Sequence, residues 1–202
     1  MTARLILARH GETPANVRHE LDSRPPGPPL TEMGRRQADA LAERLAGEPV
    51  VGVYASVAVR AQETAEPVAK RHGLSVEVVE GIHEIQCGDL EGRSDADALR
   101  AFGEVYTRWT EGDLAATIPG GDNGELLRAR YLPAIERILA CHDDGLVVVV
   151  SHGGVIRLAA EWMADNVGPQ LAYAQLLPNT GHVLLENRGG GWHALEWTGV
   201  DL

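Results

Sequence analysis

The stretch "LILARHGETPAN" (residues 5–16) decides the fold, because it joins a strand pattern directly to the start of a helix. Its first four residues are apolar, and they run straight into Arg9 and His10. A charged pair at the end of a buried strand costs free energy unless the charges have partners. Thr13 followed by Pro14 is typical of the N-cap and first turn of a helix. The stretch therefore predicts a strand, a polar loop that binds something, and a helix.

Short apolar runs alternate with longer segments of helical periodicity along the rest of the chain. This alternation is typical of an α/β protein with a mostly parallel central sheet. The last two apolar runs are separated by "NRGGG" (residues 187–191), which predicts a hairpin. The predicted strands are residues 4–8, 50–54, 75–79, 146–150, 183–186 and 193–197.

The segments between these strands carry apolar residues at helical spacing. Pro67 falls inside one of them, and it is expected either to kink that helix or to start a second one. The Pro-rich stretch "SRPPGPPL" (residues 23–30) predicts an irregular surface loop. The chain of 202 residues has no internal repeat and no long linker, so we expect a single domain over residues 1–202. The predicted helices are residues 31–47, 59–73, 95–117, 123–142 and 153–164.

The net charge of −11 argues against nucleic acid or an anionic membrane surface as a partner. The same net charge is compatible with a small anionic ligand in a pocket that is locally positive. No apolar run approaches the roughly 20 residues that a membrane span needs, and residues 1–9 lack the features of a secretory signal. Of the 18 basic residues, 17 are arginine, so an arginine is informative only through its position.

The two cysteines, Cys87 and Cys141, show neither metal-ligand nor redox spacing. Two unpatterned thiols suit a reducing compartment, so we expect a cytoplasmic protein. The sequence has no paired histidine and carboxylate spacing of the kind that binds metals, so we expect neither a metal nor another cofactor. Whether the chain is a monomer or a homodimer stays open.

Three predicted strands end close to basic side chains. The first runs into Arg9 and His10, the second leads to a helix that carries Arg60, and the most apolar strand runs into His152. Ligands of open parallel sheets bind at the carboxyl ends of the strands, so these four side chains should converge. Two of these strand ends are also predicted helix starts, with backbone N–H groups and a positive dipole end. Such a site suits a compact dianion, above all a phosphoryl group.

The order of motifs resembles that of the histidine phosphatase superfamily, in its phosphoglycerate mutase-like branch. The resemblance spans nearly the whole chain and depends on the ordered set of motifs. These are "ARHGET" (8–13) with Asn16, "PLTEMGRRQADAL" (29–41), "YASVAVRAQETAEPVA" (54–69), "HEIQCGDLEG" (83–92), "SHGGVIR" (151–157) and "NTGHVLLE" (179–186). The resemblance implies a three-layer α/β/α fold with a mostly parallel central sheet.

The resemblance also implies roles for individual residues. His10 would be the nucleophile that is transiently phosphorylated, and Glu84 would be the general acid, with Asp89 and Glu91 as nearby alternatives. The residues expected to hold the phosphoryl oxygens are Arg9, Arg60 and His152. The other predicted substrate contacts are Asn16, Gly11, Thr13 and Gly153, with Arg18 and Arg24 as a second anion contact.

The chain departs from the family pattern in two places. Asp122 and Asn123 replace the usual Glu-Ser pair, which puts substrate contacts from that loop in doubt. "YASVA" (54–58) replaces a more typical "SSPL" and is expected to affect only local structure. Tyr106 and Trp109 lie at helical spacing, which favours the core and leaves a cap over the site as the alternative.

The sequence favours hydrolysis of a small phosphomonoester without a metal ion. Phosphoglycerate mutase-type transfer and phosphate binding without catalysis are the alternatives. Residues 85–120 hold seven acidic residues against three arginines, a poor balance for a second anionic group on the substrate. That balance favours an uncharged alcohol as the leaving group. We expect residues 93–123 to form a cap that determines substrate specificity.

Overall fold

One six-stranded sheet organises residues 3–202, the part of the chain that the computed structural model describes. Its order is β3-β2-β4-β1-β5-β6. The first four of these strands are mutually parallel, and β5 and β6 run antiparallel at one edge. The strands are β1 (Arg4–Arg9), β2 (Val50–Ser56), β3 (Val76–Val79), β4 (Leu146–Ser151), β5 (His182–Asn187) and β6 (Trp192–Trp197).

Seven α-helices and one 3₁₀ turn connect the strands in the described part of the chain. None of these helices is both long enough and apolar enough to cross a membrane. The α-helices are α1 (Pro14–Val17), α2 (Glu32–Arg44), α3 (Val59–Arg71), α4 (Ala96–Thr110), α5 (Gly124–Leu139), α6 (Gly153–Met163) and α7 (Pro169–Ala174), and the 3₁₀ turn is Gly88–Leu90.

Successive residues of the central strands face two different cores. Leu5 and Leu7 of β1 contribute to the larger core with α4, α5 and α6, whereas Ile6 and Ala8 face the smaller core with α2 and α3. Side chains alternate along a strand, so a sheet covered by helices on both faces needs continuous apolar runs. The predicted three-layer α/β/α fold with a mostly parallel sheet is confirmed.

All six predicted strands are present, and most extend by one or two residues beyond their predicted ends. The predicted helix 95–117 is shorter than expected, because α4 stops at Thr110. Gly112 follows in the left-handed region at φ +94°, which ends the helical path. The six-residue helix α7 was not predicted from the sequence.

Helix α3 passes through Pro67 as one continuous element, so Pro67 does not start a second helix, which was one of the two expected outcomes. Proline removes one backbone hydrogen bond from a helix interior. The apolar face of α3, including Ala65 and Val68, is fully buried in the smaller core. Tertiary packing contributes most of the stability of such a helix, and here it compensates for the missing bond.

The carboxyl ends of β2, β4 and β1 lie side by side, and this arrangement positions the site. Arg9 pairs with Ser151 across β1 and β4, and Ala55 of β2 pairs with Val150 of β4. His10 and His152 follow directly after β1 and β4. The sheet therefore brings together segments that are about 140 residues apart in the sequence.

Candidate active site

His10 is buried, with 5% of its surface exposed, at the floor of a cavity of about 610 Å³. Its Nδ1 lies 2.7 Å from the carbonyl oxygen of Gly11. Its Nε2 accepts a 3.2 Å hydrogen bond from Nε of Arg60. Since a carbonyl only accepts and a guanidinium only donates, the ring proton is on Nδ1 and the lone pair is on Nε2. Burial, then the nearby charges of Arg60 and Arg9, lower the pKa of His10 well below its ordinary value, so the ring is neutral.

Gly11 lies where the loop after β1 crosses α2. A Cβ at this position would be 2.6 Å from the carbonyl oxygen of Gly34, a backbone atom that has little freedom to move. The N–H of Gly11 donates to the hydroxyl of Thr64 on α3 at 2.9 Å. Gly11 does not line the cavity, where it was predicted to contact the substrate. Its position between α2 and α3 indicates a structural function. It lets the loop that carries His10 lie against two helices.

His152 is fully buried at the N-cap of α6, and its ring centroid is 5.2 Å from that of His10. Its Nε2 lies 2.7 Å from the hydroxyl oxygen of Ser56. Its Nδ1 is buried and has no hydrogen-bond partner among residues 3–202. Burial, followed by the charge of Arg60, lowers the pKa of His152 well below the ordinary value. A neutral ring with an unpartnered buried nitrogen beside His10 indicates a place for a polar ligand atom.

Two arginines flank His10 on different sides. Arg9 lines the cavity, and one of its terminal nitrogens donates to the carbonyl of Leu177 at 2.7 Å. Burial lowers the pKa of Arg9 from its usual value, but a guanidinium stays charged at neutral pH. Arg60 is 1% exposed and lies behind His10, where it pairs with the carboxylate of Asp22 at 3.2 Å and donates to the Asp22 carbonyl at 3.1 Å.

The carboxylate of Glu84 lies at the N-terminus of α6 and lines the cavity. One oxygen accepts from the N–H groups of Ile85 and Val155 at 2.9 and 3.0 Å, and the other accepts from Gly154 at 3.1 Å. Backbone N–H groups and the positive helix end stabilise a carboxylate there. Of the alternative acids, Asp89 is exposed, and the carboxylate of Glu91 accepts from the backbone of residues 23 and 24.

Arg130 of α5 holds the segment that carries Glu84. Its guanidinium donates to the carbonyls of Gly81, His83 and Glu84 at 2.7 to 2.8 Å. The guanidinium also pairs with the carboxylate of Asp122 at 3.1 Å. That carboxylate in turn accepts from the N–H of residue 86. The atypical Asp122 therefore supports this loop, and its neighbour at position 123 caps α5 through a bond to residue 126. Neither of them lines the cavity.

Asn16 and Thr13 form the predicted cap of α1 by reciprocal hydrogen bonds. Asn16 also lines the cavity, and its side-chain oxygen accepts a 3.0 Å bond from Asn179, which in turn donates to the carbonyl of His10. Thr13 is fully buried and outside the cavity lining, so its predicted substrate contact is replaced by capping. Gly153 lies in the lining, as expected.

Arg18 and Arg24 do not reach the cavity, in contrast to the prediction of a second anion contact. Arg18 is exposed and forms a two-bond pair with Glu20 at 2.7 and 2.8 Å. Arg24 is also exposed, and only its backbone N–H is engaged, by Glu91.

Several lining residues were missed by the sequence analysis. Arg157 belongs to the quoted motif "SHGGVIR" and lies one helical turn after Gly153, a spacing that could have revealed it. Its guanidinium lies 4.4 Å above the ring of Tyr106 and donates to backbone carbonyls of α7 at 2.9 and 3.0 Å. Asn179 belongs to the quoted motif "NTGHVLLE", and Leu99 and Phe102 lie on α4 within the predicted cap 93–123, whereas Asp22, Leu176 and Leu177 lie on loops without a regular pattern. The lining residues that were not named as site residues are His19, Glu20, Leu21, Asp22, Cys87, Leu99, Phe102, Gly154, Arg157, Leu176, Leu177 and Asn179.

Tyr106 and Trp109 are core residues, with 2% and 1% of their surfaces exposed. The aromatic ring that faces the cavity is instead Phe102, on the adjacent face of α4. Burial raises the pKa of the Cys87 thiol to about 12, which makes it a neutral lining residue. His182 lies outside the cavity, near the carboxylate of Glu196 at 3.4 Å.

Among residues 3–202, no three histidine, cysteine or carboxylate side chains are grouped so that they could hold a metal ion. His10 and Arg9 line the inner end of the cavity, and the buried side chains of His152 and Arg60 lie next to His10, outside the cavity lining. This arrangement can bind a tetrahedral anion and present a nucleophile to it.

Comparison with known proteins gives the same family as the motifs. The family model described as histidine phosphatase superfamily (branch 1) matches residues 5–199. A metal-independent phosphoserine phosphatase of Arabidopsis thaliana is 35% identical over 157 residues, which cover 76% of this chain and 65% of that protein. An adenosylcobalamin/alpha-ribazole phosphatase of Salmonella typhimurium is 33% identical over 155 residues, 77% of this chain and 76% of that protein.

Solved structures extend the similarity to nearly the whole chain. A mycobacterial glucosyl-3-phosphoglycerate phosphatase superposes with a TM-score of 0.83 at 27% identity, covering 96% of this chain and 98% of that one. Some curated relatives are much longer. The chain matches a PE-PGRS family protein of Mycobacterium tuberculosis at 32% identity over 96% of its own length, but spans only 36% of that protein.

Proposed function

Because the chain belongs to the histidine phosphatase superfamily, we propose that it hydrolyses small phosphomonoesters through a phosphohistidine formed on His10. The observation that carries the proposal is the protonation state of His10. Its ring is neutral, its proton is held by the Gly11 carbonyl, and its lone pair is on Nε2. A neutral imidazole with a fixed tautomer is the form that attacks phosphorus.

In the first step, Nε2 of His10 attacks the phosphorus atom and the bond to the alcohol oxygen breaks. Glu84 donates a proton to that oxygen, so a neutral alcohol leaves. The phosphoryl group bonded to Nε2 takes the place of the 3.2 Å hydrogen bond from Arg60, next to the guanidinium. Arg9 and Arg60 neutralise the phosphoryl oxygens, and phosphoryl transfer depends mainly on such positioning and electrostatic stabilisation.

In the second step, water attacks the phosphohistidine. Glu84, now a carboxylate, accepts the proton of that water, and the bond from phosphorus to Nε2 breaks. Inorganic phosphate leaves, and His10 returns to its neutral form. The two steps require Glu84 in alternate protonation states.

His152 is proposed to donate from Nδ1 to a phosphoryl oxygen. In this proposal the Ser56 hydroxyl, 2.7 Å from Nε2 of His152, is the donor to that nitrogen, and Ser56 itself accepts from the N–H of Ala58 at 3.3 Å. With Nε2 acting as an acceptor, the ring proton of a neutral His152 is on Nδ1. The residues proposed to contact the phosphoryl group are thus Arg9, Arg60, His152, Asn16 and the backbone N–H of Gly153.

The remaining expectations stay proposals. The substrate is a small phosphorylated metabolite, and the free thiols Cys87 and Cys141 support a reducing, cytoplasmic setting.

The chain is proposed to form a single domain over residues 1–202, with a cap within residues 93–123 that determines specificity. The two residues of α4 that line the cavity, Leu99 and Phe102, support the cap. Arg18 and Arg24 lie outside the cavity lining, which speaks against a mutase that must retain a phosphoglycerate.

The test is turnover of p-nitrophenyl phosphate in the presence of a chelator. The wild-type protein should release p-nitrophenol without added metal, and His10→Ala should reduce kcat at least about 10⁴-fold, since removal of a nucleophile abolishes the covalent route. His193→Ala, a histidine on β6 outside the cavity, serves as the control with unchanged activity. An active His10→Ala enzyme would refute the proposal.

A further inference from the structure

We propose that the alcohol part of the substrate is an uncharged, bulky apolar group, seated on a wall formed by Leu99, Phe102 and Leu176. This inference rests on the proposed phosphatase function and names the class of substrate for the same site. All three side chains line the cavity that holds His10. Leu99 and Leu176 are 41% and 73% exposed, so they form the outer part of the cavity, whereas the His10 end is buried.

The apolar wall is continuous with the catalytic end of the cavity. The ring of Phe102 stacks on that of Tyr106, with centroids 6.0 Å apart and an interplanar angle of 29°. The Tyr106 hydroxyl donates to the carbonyl of Gly154 at 3.0 Å, and Arg157 covers the other part of its ring. Gly154 is one of the residues that hold the Glu84 carboxylate. Tyr106 therefore links Phe102 to Gly154, which donates a backbone hydrogen bond to the proposed general acid Glu84.

The charges at the cavity mouth disfavour a second anion on the substrate. The carboxylates of Glu20 and Asp22 both line the cavity. Arg18, the nearest exposed cation in sequence, is neutralised by Glu20. Both carboxylates already have a cationic partner, Glu20 in Arg18 and Asp22 in Arg60, so an anionic alcohol group at this end would have to compete with them for those guanidinium groups.

The cationic side chains of the lining, as far as residues 3–202 show, belong to the phosphoryl end. They are Arg9 and Arg157, and both lie beside Gly153: a Cβ on Gly153 would be 3.1 Å from Cδ of Arg9, and Nε of Arg157 donates to the Gly153 carbonyl at 3.2 Å. In all, the guanidinium of Arg157 donates to three backbone carbonyls.

The size of the cavity suits a bulky alcohol. Its volume of about 610 Å³ lies within the range of pockets that bind whole small-molecule ligands, and a phosphoryl group fills only a minor part of it. Water must leave the apolar wall when a ligand covers it, which favours an apolar group over a polar one. The apolar wall, the charges at the cavity mouth and the size of the cavity together favour a phosphomonoester of an apolar alcohol.

The test compares three substrates with the same primary alkyl leaving group at pH 8, so that differences reflect the rest of the alcohol. These are butyl phosphate, 4-phenylbutyl phosphate and 4-(phosphonooxy)butanoate. We expect kcat/KM to be at least about tenfold higher for 4-phenylbutyl phosphate than for butyl phosphate, in the range that apolar pocket contacts provide. We expect the carboxylate-bearing ester to be the poorest substrate, by about tenfold or more relative to butyl phosphate.

Variants of the wall separate binding from general damage. Leu99→Ala and Phe102→Ala should each lower the ratio of kcat/KM for 4-phenylbutyl phosphate to that for butyl phosphate several-fold to tenfold. Leu195→Ala is the matched control, because Leu195 on β6 is also 41% exposed but lies outside the cavity. It should leave that ratio unchanged.

A charge variant tests the second half of the proposal. Glu20→Gln should raise the ratio of kcat/KM for 4-(phosphonooxy)butanoate to that for butyl phosphate about threefold or more, because it removes one carboxylate and releases Arg18. Equal kcat/KM for butyl and 4-phenylbutyl phosphate, or a preference for the carboxylate ester, would overturn the inference. Failure of the phosphatase proposal would look different, since none of the three esters would be hydrolysed.

Discussion

At the scale of single residues, the site depends on which nitrogen of each histidine carries the proton. His10 has its proton on Nδ1 because a carbonyl faces that atom and a guanidinium faces the other. In our proposal, the position of the ring proton of His152 depends on Ser56. Ser56 belongs to the "YASVA" stretch, which was expected to affect only local structure. The sequence identified both imidazoles, but it contained no pattern that pairs Ser56 with His152, since 96 residues separate them.

Ser56→Ala should lower kcat about tenfold to hundredfold with little change in KM. Without the hydroxyl, Nε2 of His152 loses its partner and the ring proton is no longer confined to Nδ1, and a wrong tautomer is costly in such sites. The measurement is steady-state hydrolysis of p-nitrophenyl phosphate, with the exposed Ser94→Ala as the control. A wild-type kcat in Ser56→Ala would show that Ser56 does not fix the ring proton of His152 for catalysis.

Glu84→Gln should slow hydrolysis of alkyl phosphates by about 10² to 10⁴-fold, the usual contribution of a general acid. Phosphorylation by p-nitrophenyl phosphate should be much less affected, because p-nitrophenolate leaves without a proton. Single-turnover release of the alcohol measures this step for both esters. Asp89→Asn, a change at the exposed alternative acid, is the control, and an equal loss for both esters would argue against Glu84 as the proton donor.

The lowered pKa values of His10 and His152 also predict how stability varies with pH. An unfolded histidine binds a proton near pH 6.5 and the buried ring does not, so the unfolded state gains protons as the pH falls below that value. This contribution to the free energy of unfolding is therefore present above pH 6.5 and decreases below it, by up to about 1.4 kcal/mol per pH unit for each group.

Urea unfolding of the wild type and of His10→Gln between pH 5 and pH 7.5 measures this effect, because the difference cancels the contribution of the carboxylates. The free energy of unfolding of the variant should depend less steeply on pH. Identical slopes for the two proteins would mean that His10 takes up its proton over the same pH range in the folded and unfolded states.

At the scale of elements, the strands were predictable and the helix ends were less so. β1 and β4 are apolar on both faces, and that pattern has few alternatives in an α/β protein. Pro67 within α3 and the early end of α4 depend on tertiary packing and on the conformation of Gly112, which local patterns do not report. The loop that carries Glu84 is positioned by Arg130 from α5, a contact that sequence periodicity cannot indicate.

Arg130→Met should therefore affect both stability and catalysis. Three loop carbonyls and Asp122 would lose a charged donor, and bonds to charged groups contribute about 1.5 to 3 kcal/mol each to stability. We expect the free energy of unfolding to fall by about 2 to 4 kcal/mol, with a lower kcat. Arg128→Met, an exposed arginine on the same helix, is the control in urea unfolding. Equal stability of the two variants would contradict this description of the loop.

At the scale of the whole molecule, a chain with a net charge of −11 builds a small cationic site at one edge of its sheet. The catalytic half of that site follows strand ends, so the sequence predicted its four central side chains. The outer half comes from loops and from one helix face, and its residues 19–22, 99, 102, 176 and 177 share no motif. For the same reason, Arg18 and Arg24 were assigned to the cavity from proximity in sequence alone.

The formation of a phosphohistidine on His10 is the central claim, and its most direct test is the phosphoenzyme itself. The wild-type protein is mixed with p-nitrophenyl phosphate, quenched in alkali within one turnover, and digested for mass spectrometry, with ³¹P NMR to identify the modified nitrogen. We predict one phosphoryl group per chain, on Nε2 of His10, that is stable in alkali and lost in acid. Full turnover without any phosphoryl group on His10, or a phosphoryl group on another residue, would contradict the account.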